Sequence, residues 1–230
     1  MTDAMQFLDR FRLMIGDKNI GKIVKTRIII FGVGGVGSAV AQFLVRSGVS
    51  YLDIVDFDRI DVTNINRQLV AFQSNIGMMK VDEMKRQLLD INPNLSIETF
   101  PFKLDGDTIS KINFSNYDII IDCIDDLKAK KLLIKSAHEH KIYILSCMGA
   151  GNRFKDFPKF EIDDIHKTSY DPIAKIIRKF CTQEGINHLD VCYTKQKAMK
   201  IDCKTIGSVV YYPISMATVV STKIINKIIE

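Results

Sequence analysis

Apolar residues along this chain fall into short continuous runs and into stripes repeating every three to four positions, and the two patterns alternate up to about residue 150. Ile28, Ile29, Ile30 and Phe31 form one continuous run, as expected of a central parallel strand covered on both faces. From Ser38 to about Ser47 the pattern is helical, and Gly48 is placed to end it in a left-handed cap. Tyr51 to Val55 predicts a second strand with Asp56 at its carboxyl end. Lys80 to Asp90 returns to helical spacing, with Val81, Met84 and Leu88 on one face, and Asn92-Pro93 stops it. Strands are expected at Ser96 to Phe100, Tyr117 to Ile124 and Ile142 to Cys147, with a Lys-rich helix from Leu127 to His140 between the last two. This rhythm predicts an α/β fold: a doubly wound, mainly parallel Rossmann-like sheet.

Both ends depart from that rhythm. Residues 3 to 20 read as an amphipathic helix with Phe7, Leu8, Phe11 and Ile15 on one face, an arm able to reach a neighbouring subunit. Beyond residue 150, Phe160 to Ile165 predicts a strand, and Asp171-Pro172 has the N-cap and first-turn signature of a helix carrying Ile173, Ile176, Ile177 and Phe180. Val191 to Thr194 and Ser208 to Tyr212 are expected as antiparallel edge strands. Ile214 to Ile229 is expected as a closing helix buried along Met216, Val220, Ile224 and Ile228. No internal repeat or low-complexity linker interrupts the chain. The expected organisation is one domain over 1–230: a helical arm at 1–20, a nucleotide-binding core at 27–150 and a substrate-side part at 151–230.

Composition narrows the class. The 230 residues, 47% hydrophobic and 26% charged, suffice for one sizeable core. Five cysteines, at 123, 147, 181, 192 and 203, include no C-x-x-C pair, which argues against a disulfide framework or a tetrathiolate zinc site and favours a reducing compartment. The start, MTDAMQFLDRFR, carries charges where a signal peptide needs an apolar core, and no apolar run reaches the roughly 18 residues of a membrane span. A soluble, cytoplasmic protein without a membrane partner is expected. A formal charge of +5 leaves room for a polyanionic partner such as RNA.

The candidate chemistry gathers at strand ends. Gly32, Gly34 and Gly37 have G-x-G-x-x-G spacing, which lets the chain turn sharply, bring N–H groups to a phosphate and pack the next helix closely. Glycines also mark tight turns that bind nothing. Asp56 lies about 20 residues beyond, where a carboxylate reaches ribose hydroxyls. Asn64, Asn66, Arg67 and Gln68 occupy a long polar loop between Asp58 and Gly77, Lys80 opens the next helix, and Asp125 closes the YDIIIDCI strand. A dinucleotide enzyme explains the glycines and Asp56 but not the two cations. A helix terminus offers about 0.3–1 kcal/mol per charge, up to about 2, so a triphosphate calls for Arg67 and Lys80, with Mg²⁺ on Asp125. The bland alternative pairs Arg67 with Asp58 or Asp61 at the surface, worth at most about 1 kcal/mol. His138 and His140 do not share a helical face and so predict no metal site.

GVGGVGS, the DFD of Asp56 to Asp58, TNINRQ from Thr63, Lys80, INPN from Ile91 and DCIDD from Asp122 together resemble the ubiquitin-activating-enzyme-like adenylating family, over nearly the whole chain. The resemblance implies an ATP site of Gly32, Gly34, Gly35, Gly37, Asp56, Asp58, Asn64, Arg67, Gln68, Lys80 and Asp125, with Mg²⁺ on Asp125. It implies catalytic roles for Arg67, Lys80, Asp125 and Arg10, the last lent by the arm to a partner's ATP in a homodimer. Branches that activate sulfur-carrier proteins usually carry paired C-x-x-C zinc motifs, missing here. FLDR from Phe7, NINRQ, MGAGNRF from Met148, HKTSYDPIAKIIRK from His166 and LDVCYTK from Leu189 instead resemble the branch that uses ATP to dehydrate the N6-threonylcarbamoyl group of adenosine 37 in tRNA, closing it into a ring. That implies activation of the threonine carboxylate as an acyl-adenylate and no protein nucleophile, leaving Cys192 and Cys123 as structural thiols. tRNA contacts are expected at His166, Lys175, Arg178 and Lys179, with Arg153, Lys155, Lys167, Lys195 and Lys197 around them. Any sulfur-relay partner stays unknown. The competing readings are adenylation of a ubiquitin-like carrier's C-terminus, a non-catalytic nucleotide-binding scaffold and, more distantly, a nicotinamide or flavin oxidoreductase.

Overall fold

The computed structural model describes residues 3–202 and 205–230, so Cys203 lies outside the described residues. Seven strands form one sheet: β1 (Arg27–Phe31), β2 (Tyr51–Val55), β3 (Thr99–Phe100), β4 (Ile119–Asp122), β5 (Tyr143–Cys147), β6 (Glu161–Asp164) and β7 (Asp190–Tyr193), in the spatial order β3-β2-β1-β4-β5-β7-β6. All neighbours pair in parallel except β6 and β7, which run antiparallel at one edge. β1 alternates strictly: Ile28 and Ile30 join the core on one face, Ile29 and Phe31 the core on the other. A continuous apolar run is thus the correct signal for a strand with two buried faces.

The helices divide between those faces. The core on the Ile28 side is closed by α1 (Asp9–Lys25), α2 (Gly35–Arg46), α3 (Lys80–Ile91) and α6 (Tyr211–Ile229), and α2 packs along α6. The opposite core is closed by α4 (Leu127–Glu139), α5 (Pro172–Gln183) and the 3-10 turns at Ile109–Lys111 and Phe114–Asn116. Gly48 does take φ +101° after α2, and Asp171 does cap α5, accepting from Ile173 N at 2.8 Å and Ala174 N at 3.0 Å.

Four expectations need correction. The segment from 208 to 212 is not a strand, because Tyr211 already opens α6; Tyr212 is buried and donates its hydroxyl to the Asp156 carbonyl at 2.7 Å, so a tertiary contact overrides β-propensity. The third strand shrinks to Thr99–Phe100 with one isolated bridge between Tyr51 and Ser96. β7 is parallel to β5, and only β6 is antiparallel. The arm is a 3-10 turn at Asp3–Leu8 followed by α1, broken at Gly16 with φ +77°, and it buries Leu8, Ile20 and Ile23 while Phe7 stays exposed. Similarly, Ile176 of the α5 stripe faces solvent, and Ala174, Ile177 and Cys181 are buried instead.

Strand order reverses between β1 and β4, where open parallel sheets leave a crevice at the carboxyl ends of their strands. The glycine turn after β1 opens into it.

Candidate active site

Each glycine of the turn has a distinct reason. Gly32 sits at φ +91°, and a Cβ there would lie 2.7 Å from the Cys123 carbonyl oxygen. A Cβ on Gly37 would lie 1.8 Å from the Gly32 carbonyl oxygen, so only glycine lets α2 close on the turn. Gly35 is crowded by Pro213 at 3.1 Å and the Arg67 carbonyl at 3.2 Å. Gly34 differs. Its φ is −83°, and the nearest atom to a Cβ is Gln68 Nε2 at 4.0 Å, so nothing among the described residues requires glycine there. The space above Gly34 fits a ligand that approaches the backbone itself.

Polar side chains surround that space. Asp56, at the end of β2, accepts from Val33 N at 2.6 Å through one oxygen and from Asp58 N at 2.8 Å through the other. Burial raises its pKa above the ordinary carboxylate value, against the opposing pull of Lys80 and the two N–H groups. Lys80 begins α3 and is buried, with Nζ 2.8 Å from Asp58 Oδ2. The loop before it is ordered by its own side chains. Asp61 accepts from Thr63, Asn64 Oδ1 accepts from Asp61 N at 3.1 Å, and Arg67 donates to the Thr63 carbonyl at 2.6 Å and to Asn66 Oδ1 at 3.1 Å. Arg67 therefore pairs with neither Asp58 nor Asp61, and the bland reading of it fails. Gln68 is buried beside Gly34, and its Oε1 has no hydrogen-bond partner. The Gln68 atom nearest the open face of Gly34 is the amide nitrogen Nε2, a donor that suits the acceptor oxygens of a phosphate, while the unpartnered Oε1 is buried.

Asp125 is exposed between β4 and α4. The next residue, Asp126, caps α4 by accepting from Lys128 N at 2.8 Å and Ala129 N at 3.0 Å. An exposed carboxylate at the carboxyl end of a strand is the kind of oxygen donor Mg²⁺ prefers. Among the described residues no three His, Cys, Asp or Glu form a metal-binding group of their own, so such an ion would need oxygens from its ligand. Arg10 is exposed on α1 and forms no hydrogen bond or ion pair to the glycine turn or the 63–68 loop of its own chain.

Sequence reasoning missed the buried hub beneath this site. Lys130 Nζ lies 2.7 Å from Asp122 Oδ2, 2.9 Å from the Cys147 carbonyl and 3.3 Å from Ser146 Oγ, with the paired side chains 1% and 0% exposed. Asp122 also accepts from Ser146 Oγ at 2.5 Å and Ile124 N at 3.0 Å. The hub joins the carboxyl ends of β4 and β5 to α4. Its signal was available: Lys130 falls in the Leu133, Ile134, Ala137 stripe of α4, and Asp122 ends an apolar strand.

Cys147, Cys181 and Cys192 are buried and Cys123 is half-buried. Cys123 and Cys147 place their sulfurs 3.8 Å apart, Cys192 pairs beside Cys147 across β5 and β7, and burial pushes the Cys192 thiol far above its usual range. Of the expected RNA-side residues, Lys175 and Lys179 are exposed. His166 is exposed with Nε2 3.0 Å from the Ile186 carbonyl, and Arg178 is half-buried, one nitrogen bonded to the carbonyl and hydroxyl of Thr168. Arg153 belongs inside: it is buried and donates to the carbonyls of Gly149, Gly151 and Gln196. Lys195 pairs with Glu161 at 2.6 Å.

A glycine turn with an open face, a buried carboxylate at the end of β2, two cations and an exposed carboxylate at a sheet switch point match a nucleotide-dependent adenylating fold. The ThiF family matches residues 8–228, and the chain belongs to that family. It is 39% identical to the tRNA threonylcarbamoyladenosine dehydratase of Bacillus subtilis (strain 168) over 177 residues, covering 77% of this chain and 69% of that one. The E. coli tRNA N6-threonylcarbamoyladenosine dehydratase in complex with AMP superposes with a TM-score of 0.92 at 25% identity, covering 99% of this chain and 96% of that one. Its complex with ATP gives a TM-score of 0.91 over the same shares.

Proposed function

We propose that this chain is an ATP-dependent enzyme that dehydrates N6-threonylcarbamoyladenosine at position 37 of tRNA, closing the threonylcarbamoyl group into a ring. The observation that carries the nucleotide part is the open face of Gly34 with the Gln68 amide nitrogen 4.0 Å from where a Cβ would stand, flanked by Asp56 and Lys80. Support for the tRNA part is the likeness to the dehydratases, which runs through the second half of the chain as well as the first.

In this reading Asp56 holds the ribose hydroxyls. The N–H groups of the glycine turn and the N-terminus of α2 meet the phosphates, with Asn64, Arg67 and Lys80 around them and Asp58 fixing the lysine. Asp125 would hold Mg²⁺ together with phosphate oxygens, adding positive charge where negative charge develops. A threonine carboxylate is a poor electrophile; its oxygen attacks the α-phosphorus of ATP, pyrophosphate leaves, and the resulting acyl-adenylate has one oxygen ready to depart with AMP. The carbamoyl group of the same molecule then attacks the activated carbon, and the departing nucleotide carries that oxygen away, for a net loss of one water. Intramolecular placement of this kind can be worth about 7–11 kcal/mol of barrier. No protein nucleophile is needed, in keeping with Cys192 being fully buried and its thiol held protonated.

Residues 27–150 serve as the nucleotide core and 151–230 as the substrate side, while the arm at 1–20 lends Arg10 to a second copy in a homodimer. A cytoplasmic location suits an enzyme acting on tRNA, and no helix among the described residues is long and apolar enough to cross a membrane. Measuring ATP turnover with and without threonylcarbamoylated tRNA tests the reading. Turnover that requires the modified tRNA supports it, and turnover stimulated only by a carrier protein's C-terminus would replace it with the sulfur-carrier alternative.

A further inference from the structure

The residue before the α5 cap has an unusual setting. Tyr170 takes φ +62°, and Asp171 N bonds back to the Ser169 carbonyl at 2.8 Å, which makes Tyr170 the centre of the rare, strained kind of γ-turn. A bulky aromatic residue is a poor occupant of this region of backbone space. Both flanks are locked. On one side Thr168 is buried, donating to the Ile165 carbonyl at 2.7 Å and accepting from Arg178. On the other, Asp171 is buried, capping α5 with one oxygen and accepting from Gly149 N at 3.2 Å with the other. The chain between these anchors is pushed outward. Tyr170 is 72% exposed, and among the described residues its ring meets no other ring or cation and its hydroxyl has no partner.

The position also matters. Gly149 follows β5, so Asp171 ties the turn to the carboxyl-end rim of the sheet on which the glycine turn opens. Exposed Lys167 and Lys175 flank Tyr170 in sequence, with Lys179 one turn further along α5. An exposed aromatic ring with exposed lysines before and after it along the chain has the two ingredients by which proteins hold unpaired bases, a ring to stack on the base and charges to track the backbone.

We propose that Tyr170 is a stacking platform for an unpaired base of the tRNA anticodon loop. This rests on the tRNA reading given above. Strain at such a site persists where the surroundings over-determine it, and here it holds a ring in solvent that the fold itself does not use.

Replacing Tyr170 separates ring from backbone. Glycine adopts positive φ freely, so Tyr170→Gly removes the ring and relieves the strain together. Affinity for threonylcarbamoylated tRNA would be measured by fluorescence anisotropy across a salt series, alongside melting temperature and ATP affinity. Tyr170→Gly should weaken tRNA binding by about 5- to 150-fold, the worth of one stacked base, with melting temperature equal or higher and ATP affinity unchanged. Tyr170→Phe should bind within about twofold of the native chain, since stacking needs only the ring. The salt slope should stay fixed in Tyr170→Gly and fall in Lys175→Ala, which removes a charge. Native-like tRNA affinity in Tyr170→Gly overturns the stacking role while leaving the function intact. Failure of the native chain to bind or turn over the modified tRNA overturns the function and the stacking role with it.

Discussion

Lys130→Ala should be among the most damaging single changes outside the glycine turn. The lysine and Asp122 are 1% and 0% exposed, and Nζ lies 2.7 Å from the carboxylate. Truncation leaves Asp122 with a Ser146 hydroxyl and the Ile124 N–H but no opposite charge. It also strips the Cys147 carbonyl of its Lys130 donor. Removing one partner of a buried pair costs about 3–5 kcal/mol, far more than the pair is worth against an apolar replacement of both. For a chain of this size that corresponds to a fall in Tm of roughly 6–20 °C. Urea unfolding followed by circular dichroism gives the number directly. The double variant Asp122→Asn with Lys130→Met removes both charges and should recover at least half of the loss. A loss below about 1 kcal/mol in Lys130→Ala, or a double variant as unstable as the sum of the single ones, would refute the reasoning.

The glycine turn and the Glu83–Arg86 pair give further expected outcomes. Gly34→Ala should keep its Tm and lose most of its ATP affinity, because the new methyl meets open space in the chain but fills the nucleotide cradle, whereas Gly37→Ala should fail to fold, its methyl being 1.8 Å from a backbone oxygen. Thermal melts with and without ATP check both. Glu83 is held at about 2 against an ordinary 4.5, first by its hydrogen bonds from Arg86 at 3.0 and 2.7 Å and then by Gln87, in opposition to burial. A depressed carboxylate stabilises fully above its unfolded value and loses that contribution as pH falls from about 4.5 to about 2. With Arg86 68% exposed and screening the pair, the change is worth about 1–2 kcal/mol, and unfolding free energies of Glu83→Gln across that window should fall less steeply than those of the native chain. Parallel slopes would rule it out.

Much of the sheet was readable because burial on two faces leaves a continuous apolar run, as in Ile28 to Phe31, and because Asp171-Pro172 is a local capping signal needing no tertiary information. The residues named for the candidate site stood out for a related reason: Asp56 follows β2, Lys80 opens α3, and Asn64 and Arg67 lie in a polar loop with little apolar periodicity. Tyr211 and Tyr212 misled, since two tyrosines after two valines read as strand until a distant carbonyl at Asp156 claims one hydroxyl. Lys130 was hidden among the other charged and polar positions of a Lys-rich helix, and only its partner Asp122, brought in by a different element, reveals that it points inward. Arg153 gave the opposite error, because nothing local distinguishes a solvated arginine from one wrapped by the carbonyls of its own loop and a neighbouring one.

The central claim, that a carboxylate on tRNA is activated in the site around Gly34, is tested most directly by mass spectrometry of nucleosides from threonylcarbamoylated tRNA incubated with the protein and ATP. Loss of one water from the modified adenosine is expected with the native chain and none with Lys80→Ala. An unchanged nucleoside with the native chain, or full conversion by Lys80→Ala, would contradict it.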